Sequence, residues 1–270
     1  MTVTTATATS AASPSELSLD LIITCADGLE APLQTELTSF GIVSDIKSTG
    51  RLAVTGTLRD LYTICLWSRV ASRVLMLIKR RNINAEYDVA EQIYGLAKSV
   101  NWTEQFNLEQ TFAIRLSVDK RVAVSQQFAM LRIKDAVADT FNEVYDSRPN
   151  VDSKNPDFSI FATVNDKQAE LYLDLSGTSL HRRGYRVAMT EAPLKENLAA
   201  ALLYSAGWHQ KNEAGNAPFY DALVDPMCGS GTFIIEALLM HCDYAVGIDK
   251  AANQFGFING SIMMMRYGKR

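Results

Sequence analysis

Two hydrophobic periodicities alternate along the chain and predict a mixture of strands and helices. In 111–118 apolar side chains occupy every second position, which is typical of a half-buried strand. In 125–145 the apolar residues instead recur every three or four positions, which predicts a helix with Ser125 as its N-cap. The chain therefore contains both α and β structure.

The same patterns predict the other elements. Strands are expected at 19–24, 45–57 (as a strand or hairpin), 73–78, 158–164, 169–175 and 221–224, and helices at 29–40, 58–67, 87–98, 196–205 and 233–240. Residues 1–16, rich in Thr, Ala and Ser, are expected to be a disordered tail. The first elements form an α+β unit at 17–82 that resembles half of a ferredoxin-like arrangement; a second unit is expected at 83–187 and a third from 188.

Composition narrows the functional classes. No apolar run approaches the roughly 20 residues that span a bilayer, and the amino terminus lacks the basic residues of a secretion or mitochondrial signal. The four cysteines form no Cys-x-x-Cys pair, so neither a metal site nor disulfides are expected, and reduced thiols fit the cytoplasm. A net charge of −4 gives no overall attraction to nucleic acid, so any RNA contact must come from local basic segments.

Several basic segments are candidates for RNA contact. The segment 181–186 places three arginines, a histidine and a tyrosine together, which suits phosphates and unstacked bases; the alternative is a linker whose arginines pair with acids across a domain boundary. The segment 66–81 is also basic and is either a solvated sheet edge or a phosphate-contacting surface. Trp102 is interpreted as a core anchor rather than a base-stacking platform. The candidate RNA-binding residues are Arg182, Arg183, Arg186, Lys120, Arg121 and Lys134.

The segment 225–232, Asp-Pro-Met-Cys-Gly-Ser-Gly-Thr, lies between an apolar run and a helical pattern. Its two glycines permit positive φ and let backbone amides face a ligand, and Ser230 or Thr232 can cap the following helix. The segment lacks the third glycine of a dinucleotide fingerprint and the Gly-Lys-Ser/Thr of a P-loop, which disfavours NAD and ATP. A merely structural turn remains an alternative.

The full octet resembles the first motif of class I S-adenosylmethionine-dependent methyltransferases that modify exocyclic amino groups of bases. Further motifs extend the match over about 19–257, namely 27–30, 67–74, 101–103, 173–177, 181–186 and 193–201. Together and in this order they resemble the bacterial ribosomal RNA large-subunit methyltransferase K/L family.

The resemblance implies an α+β ferredoxin-like and THUMP RNA-binding region, followed by the start of an α/β Rossmann-like methyltransferase domain at 188–257. It further implies S-adenosylmethionine as cofactor, guanine N2 of 23S ribosomal RNA as substrate, and no metal. Carried over by position, the cofactor-binding residues are Asp225, Pro226, Cys228, Gly229, Ser230, Gly231, Thr232, Lys195, Glu196 and Asn197.

The chain departs from the family pattern in three places. The Asn-Pro-Pro-Tyr catalytic loop is absent from the 270 residues, so no catalytic residue is assigned and transfer by this chain alone is not expected. Asp249 lies where a ribose-binding acid is found in dinucleotide enzymes, but the resemblance places an insertion there. Residues 258–270 are an atypical, methionine-rich tail, and we interpret the chain as a carboxyl-terminally truncated member. The alternative is a non-catalytic RNA-binding protein with a vestigial cofactor motif.

Overall fold

A computed structural model describes residues 18–84, 86–186, 193–210, 220–250 and 254–256. The predicted tails at 1–16 and 258–270 lie outside these residues. The strands are β1 (Leu19–Thr24), β2 (Asp45–Ser48), β3 (Arg51–Gly56), β4 (Arg73–Asn82), β5 (Phe112–Val118), β6 (Phe158–Val164) and β7 (Gln168–Asp174). The helices are α1 (Glu30–Ser39), α2 (Leu58–Trp67), α3 (Val89–Lys98), α4 (Gln126–Tyr145), α5 (Glu196–Ser205) and α6 (Thr232–His241), with a 3-10 turn at Trp102–Glu104. No helix in the described ranges is long and apolar enough to cross a membrane.

All seven strands form one sheet, in the order β2-β3-β1-β4-β7-β6-β5. Only β5 and β6 are parallel among these neighbours, and the other pairs are antiparallel. β4 pairs with β1 on one side and with β7 on the other. The two predicted amino-terminal units therefore share a continuous sheet through β4.

Helices α1 to α4 contact the sheet and enclose the main core, whereas α5 packs between α1 and α6. Successive residues of β1 point to opposite faces, so Leu21 and Ile23 enter the main core while Ile22 joins a smaller cluster on the other face. Trp102 is fully buried, and its Nε1 donates to the Ala97 carbonyl oxygen at 2.8 Å. It is a core residue, not a platform for RNA bases.

Local periodicity predicted most elements to within a few residues. Ser125 is the N-cap of α4 and its hydroxyl accepts from the Phe128 amide at 3.1 Å. β4 is longer than predicted, because its basic end at 79–82 continues to pair with 168–171 of β7.

The prediction of a strand at 221–224 was wrong. These four residues are exposed, Val224 by 83%, and adopt no strand. A strand requires neighbours for its amide and carbonyl groups, and within the described ranges this segment pairs with none. Its apolar character alone did not specify a strand.

Candidate cofactor turn and basic pocket

The glycine turn leads directly into α6. Gly229 and Gly231 have φ of 52° and 73°, values that favour glycine, and Gly231 is the N-cap of the helix. No side chain caps α6, because the cap position carries none; the Ser230 and Thr232 hydroxyls instead lie 3.2 Å apart. The first amides of α6 are therefore open to an anionic or polar ligand.

Most of the turn faces solvent. Residues 226–230 are exposed, and Asp225 is partly buried at the start of the turn. Its Oδ1 accepts from the Met227 amide at 3.1 Å. Its Oδ2 is shielded and accepts no hydrogen bond from the described residues. The turn thus combines exposed backbone with one shielded, unsatisfied carboxylate oxygen.

Arg186 connects the glycine turn to the start of α5. Its Nε lies 3.1 Å from Glu196 Oε1, and its Nη2 donates to the Leu194 carbonyl oxygen at 2.9 Å. Longer contacts of 3.4 Å reach the hydroxyls of Ser230 and Thr232. These contacts of Arg186 hold two predicted cofactor segments together, and its predicted contact with RNA stays a prediction.

The other two predicted cofactor residues of α5 differ in environment. Lys195 is exposed at the N-cap. Asn197 is buried, and its amide nitrogen donates to Ser72 Oγ at 2.9 Å and to the Val70 carbonyl oxygen at 3.4 Å. Asn197 therefore anchors α5 to the segment before β4.

Arg183 does not have the placement predicted for RNA binding. Its side chain is 3% exposed, its guanidinium donates to the carbonyl oxygens of Leu180 and Arg69, and its Nε lies 3.6 Å from Glu236 Oε1. The alternative interpretation of the arginine-rich segment, a linker that pairs with acids, describes both Arg183 and Arg186. The reason is that α6 carries a buried acid toward this segment.

Two further side chains, Tyr185 and Arg69, connect the Arg183 segment to the middle and the carboxyl end of α6. Tyr185 donates to Glu236 Oε1 at 2.9 Å. Arg69 donates to the carbonyl oxygen of Leu239 in the last turn of α6 at 3.1 Å, and to that of Tyr244 just after the helix at 2.7 Å. Burial raises the pKa of the Glu236 carboxyl, and the nearby Arg183 opposes that rise.

A second buried acid, Glu36, contacts the chain at 68–70, next to the Arg69 side chain. Glu36 is fully buried in α1 and accepts hydrogen bonds from the backbone amides of Arg69 and Val70 and from Ser68 Oγ. Burial raises the pKa of its carboxyl, and the Ser68 hydrogen bond opposes the rise. The two acids and two arginines, Glu36, Arg69, Arg183 and Glu236, form what we term the buried ionic cluster, which joins α1 to α6.

Arg182 has a different environment from its neighbour. It is exposed and lines a pocket of about 650 Å³ beside the sheet. Arg115 of β5 and Lys154 of the loop before β6 line the same pocket, and the sequence patterns did not single out either residue. Only the alternation in β5, which puts Arg115 on the polar face, could have signalled its role.

The remaining predicted RNA-binding residues lie elsewhere. Lys120 and Lys134 are exposed, whereas Arg121 pairs with Asp119 at 2.8 Å and with Asp166 at 3.3 Å. None of the three lines the pocket. Asp249 is exposed and accepts from the Tyr244 hydroxyl at 2.7 Å. The structure therefore does not bring the six predicted RNA-binding residues onto one surface.

Three family models match consecutive parts of the chain. The RlmL ferredoxin-like domain matches 20–75, the THUMP domain 87–174 and the RMKL-like methyltransferase domain 183–263. The domain boundaries at 82 and 187 stay predictions.

Among curated proteins, the ribosomal RNA large subunit methyltransferase K/L of Psychrobacter arcticus is 92% identical over 95% of this chain and 34% of its own length. Among solved structures, SMU.472, assigned as a methyltransferase and complexed with SAH, has a TM-score of 0.72 at 27% identity, covering 90% of this chain and 60% of its own. A protein from Listeria monocytogenes str. 4b F2365, assigned as an N6-adenine-specific DNA methylase, has a TM-score of 0.72 at 25% identity, covering 93% and 61%. The chain spans about a third of the length of the curated relative, and over nearly all of its own residues it is similar to the ribosomal RNA large subunit methyltransferase K/L proteins.

Proposed function

We propose that this chain supplies the RNA-binding region and the first cofactor-binding turn of an S-adenosylmethionine-dependent methyltransferase acting on guanine N2 of 23S ribosomal RNA in the cytoplasm. The observation that supports it best is the glycine turn. Two positive-φ glycines lead into the uncapped amino end of α6, and the Asp225 carboxyl at the start of the same turn has an unsatisfied Oδ2. The methionine part of the cofactor carries groups that such amides and a carboxylate bind.

Residues of the proposed cofactor site fit this ligand. The carboxylate of the methionine part suits the free amides of α6, and the hydroxyls of Ser230 and Thr232 lie beside them. Arg186 and Glu196 keep the start of α5 next to the turn, and Asn197 fixes α5 to the segment before β4. Lys195, before α5, and Cys228, in the turn, are exposed. When bound, the cofactor would supply the methyl group as an electrophile.

RNA binding is the second part of the proposal. The THUMP model matches 87–174, and the K/L relatives are methyltransferases of ribosomal RNA. Unpaired cations in the same region can neutralise phosphates. The substrate base and the ribosomal RNA partner are inferred from the K/L proteins that this chain resembles.

We further propose that these 270 residues do not complete methyl transfer on their own. The Asn-Pro-Pro-Tyr loop that the family resemblance assigns to catalysis is absent from them. The described part of the methyltransferase region contributes α5 and α6 and no strand to enclose a cofactor.

Titration calorimetry with S-adenosylmethionine tests the cofactor site. We expect saturable binding by the chain and its loss in Gly231→Val, because valine at a φ of 73° is strained and its methyl groups would cover the first amides of α6. Gly41→Val is the matched control, since Gly41 has a similar φ of 76° and lies after α1, far from the glycine turn in sequence. Equal loss in both variants would show general misfolding rather than a cofactor site.

A second candidate is a non-catalytic RNA-binding protein with a vestigial cofactor motif. The exposed, strand-free segment at 221–224 favours it, because a cofactor turn is normally supported by the strand before it. Absence of any S-adenosylmethionine binding in the same titration, with RNA binding retained, would decide for this alternative.

A further inference from the structure

The pocket that Arg182 lines is assembled from several separate parts of the chain. Its walls come from the start of β4, the middle of β5, the start of β6 and the loop before it, the end of β7, the segment 177–182, and residues 254–256. Four of its side chains are basic and two are acidic: Arg73, Arg115, Lys154, Arg182, Asp157 and Asp174. Positive charge therefore exceeds negative charge in the pocket.

Both acids are already engaged. Asp174 is paired with the Arg73 guanidinium and accepts from Ser176 Oγ. Asp157 accepts from the amide and hydroxyl of Thr111 at 2.9 and 2.8 Å. Arg73 is thus neutralised by its partner, whereas Asp157 keeps its charge, so one acid remains against the other three cations.

Arg115, Lys154 and Arg182 form no ion pair with any described residue. Arg115 is partly buried, and desolvation together with the neighbouring positive charges of Arg73 and Arg182 lowers its pKa, while the charge of Asp174 opposes part of that decrease. A partly buried guanidinium without an anion is unfavourable, and an anionic ligand would relieve that cost.

The wall opposite these cations is built by close backbone contact. A Cβ on Gly177 would lie 2.1 Å from the Gln254 carbonyl oxygen, and the Thr178 amide donates to that oxygen at 3.2 Å. Lys250 adds hydrogen bonds of 2.7 and 2.8 Å to the carbonyl oxygens of Ser176 and Thr178. The pocket is therefore held in shape by residues distant in sequence, without a ligand.

We propose that this pocket binds a phosphate of a single-stranded RNA nucleotide through Arg115 and Arg182, with Lys154 at its rim. This inference rests on the proposed RNA-binding function and gives it a location. A volume of about 650 Å³ is in the range of sites that enclose one small ligand, so a splayed nucleotide or a chain end fits it, whereas a duplex is too wide. Guanidinium groups bind phosphate with two parallel hydrogen bonds.

Fluorescence anisotropy with a labelled single-stranded RNA of about ten nucleotides tests the proposal on the full 270-residue chain. We expect Arg115→Gln and Arg182→Gln each to lower affinity by about tenfold, the value of one charge-assisted hydrogen bond. The slope of log affinity against log salt should fall by about 0.7 for each phosphate that the variant no longer neutralises. Arg115→Lys, which keeps the charge, should recover part of the affinity.

Arg59→Gln is the matched control, because this substitution also removes one positive charge. Arg59 is exposed in α2 and forms no ion pair with the described residues. The variant should leave both affinity and salt slope unchanged. If Arg115→Gln is poorly folded in urea unfolding, Arg182→Gln decides alone, since its side chain is exposed.

The possible outcomes distinguish a failure of the proposed pocket from a failure of the proposed RNA-binding function. RNA binding that is the same in Arg182→Gln and in Arg59→Gln would overturn the pocket and leave the proposed function standing. No RNA binding by the wild-type chain would overturn both. Calorimetric binding of inorganic pyrophosphate that depends on Arg182, without RNA binding, would make the pocket a site for free phosphates and contradict an RNA occupant.

Discussion

Arg183→Leu is expected to lower the free energy of unfolding by about 3–5 kcal/mol, the usual cost of removing one partner from a buried ion pair. Glu236 is fully buried, and leucine would leave it without its cation while the carbonyl oxygens of Leu180 and Arg69 lose their donors. Urea unfolding followed by circular dichroism measures the change.

The loss should also depend on pH. The folded pKa of Glu236 is already raised above its ordinary 4.5, and removing Arg183 raises it further. The folded protein then holds a proton that the unfolded chain releases, so stability falls as pH rises above about 4.5. The deficit of the variant should be larger near about pH 8 than near about pH 5.5.

Arg182→Leu is the control, since it changes the neighbouring arginine, which is exposed. It should alter stability by no more than about 0.5 kcal/mol. If the two leucine variants were equally stable, the buried ionic cluster would not join α1 to α6 in solution, and Arg183 would again become a candidate for RNA contact.

Incubation of the purified chain with labelled S-adenosylmethionine and unmethylated 23S ribosomal RNA is expected to give no transfer to guanine N2 above background. Alignment of reactants contributes about 7–11 kcal/mol to such reactions, and the loop that the family uses to align the base is absent from the 270 residues. Scintillation counting of recovered RNA, with nucleoside analysis, makes the measurement.

The Psychrobacter arcticus relative, 92% identical over the shared region, is the positive control in this assay. Transfer by the relative and none by the chain would agree with the proposal. Methylated guanine from the chain itself would show that other residues supply the alignment, and the search for them would begin at the glycine turn.

Most of the fold could be predicted from the sequence, because its strands and helices follow from the local spacing of apolar residues. β1 and α5 were predicted at their observed bounds, and the two glycines of the turn have the positive φ that the strand-to-helix pattern suggested. The segment 221–224 was mispredicted, because an apolar run specifies a strand only when neighbouring strands are present.

The site was harder to predict, because the partners of its side chains are residues distant in sequence. Arg182 and Arg183 are adjacent, yet one lines a pocket and the other meets Glu236 of α6. Nothing in the local pattern separates two such arginines. Arg115 was missed for a related reason: its polar position in β5 was visible, but the pocket it faces is assembled from separate parts of the chain.

Competition binding shows whether this chain is an RNA-binding part of a ribosomal RNA methyltransferase. Labelled 23S ribosomal RNA would be bound to the chain and displaced with unlabelled 23S ribosomal RNA or with duplex DNA of equal phosphate content, at one fixed salt concentration. We expect displacement by RNA at concentrations at least about tenfold lower than by DNA, because a splayed nucleotide enters the pocket and a duplex does not. Equal displacement, or stronger displacement by duplex DNA, would contradict it and favour a DNA amino-methyltransferase instead.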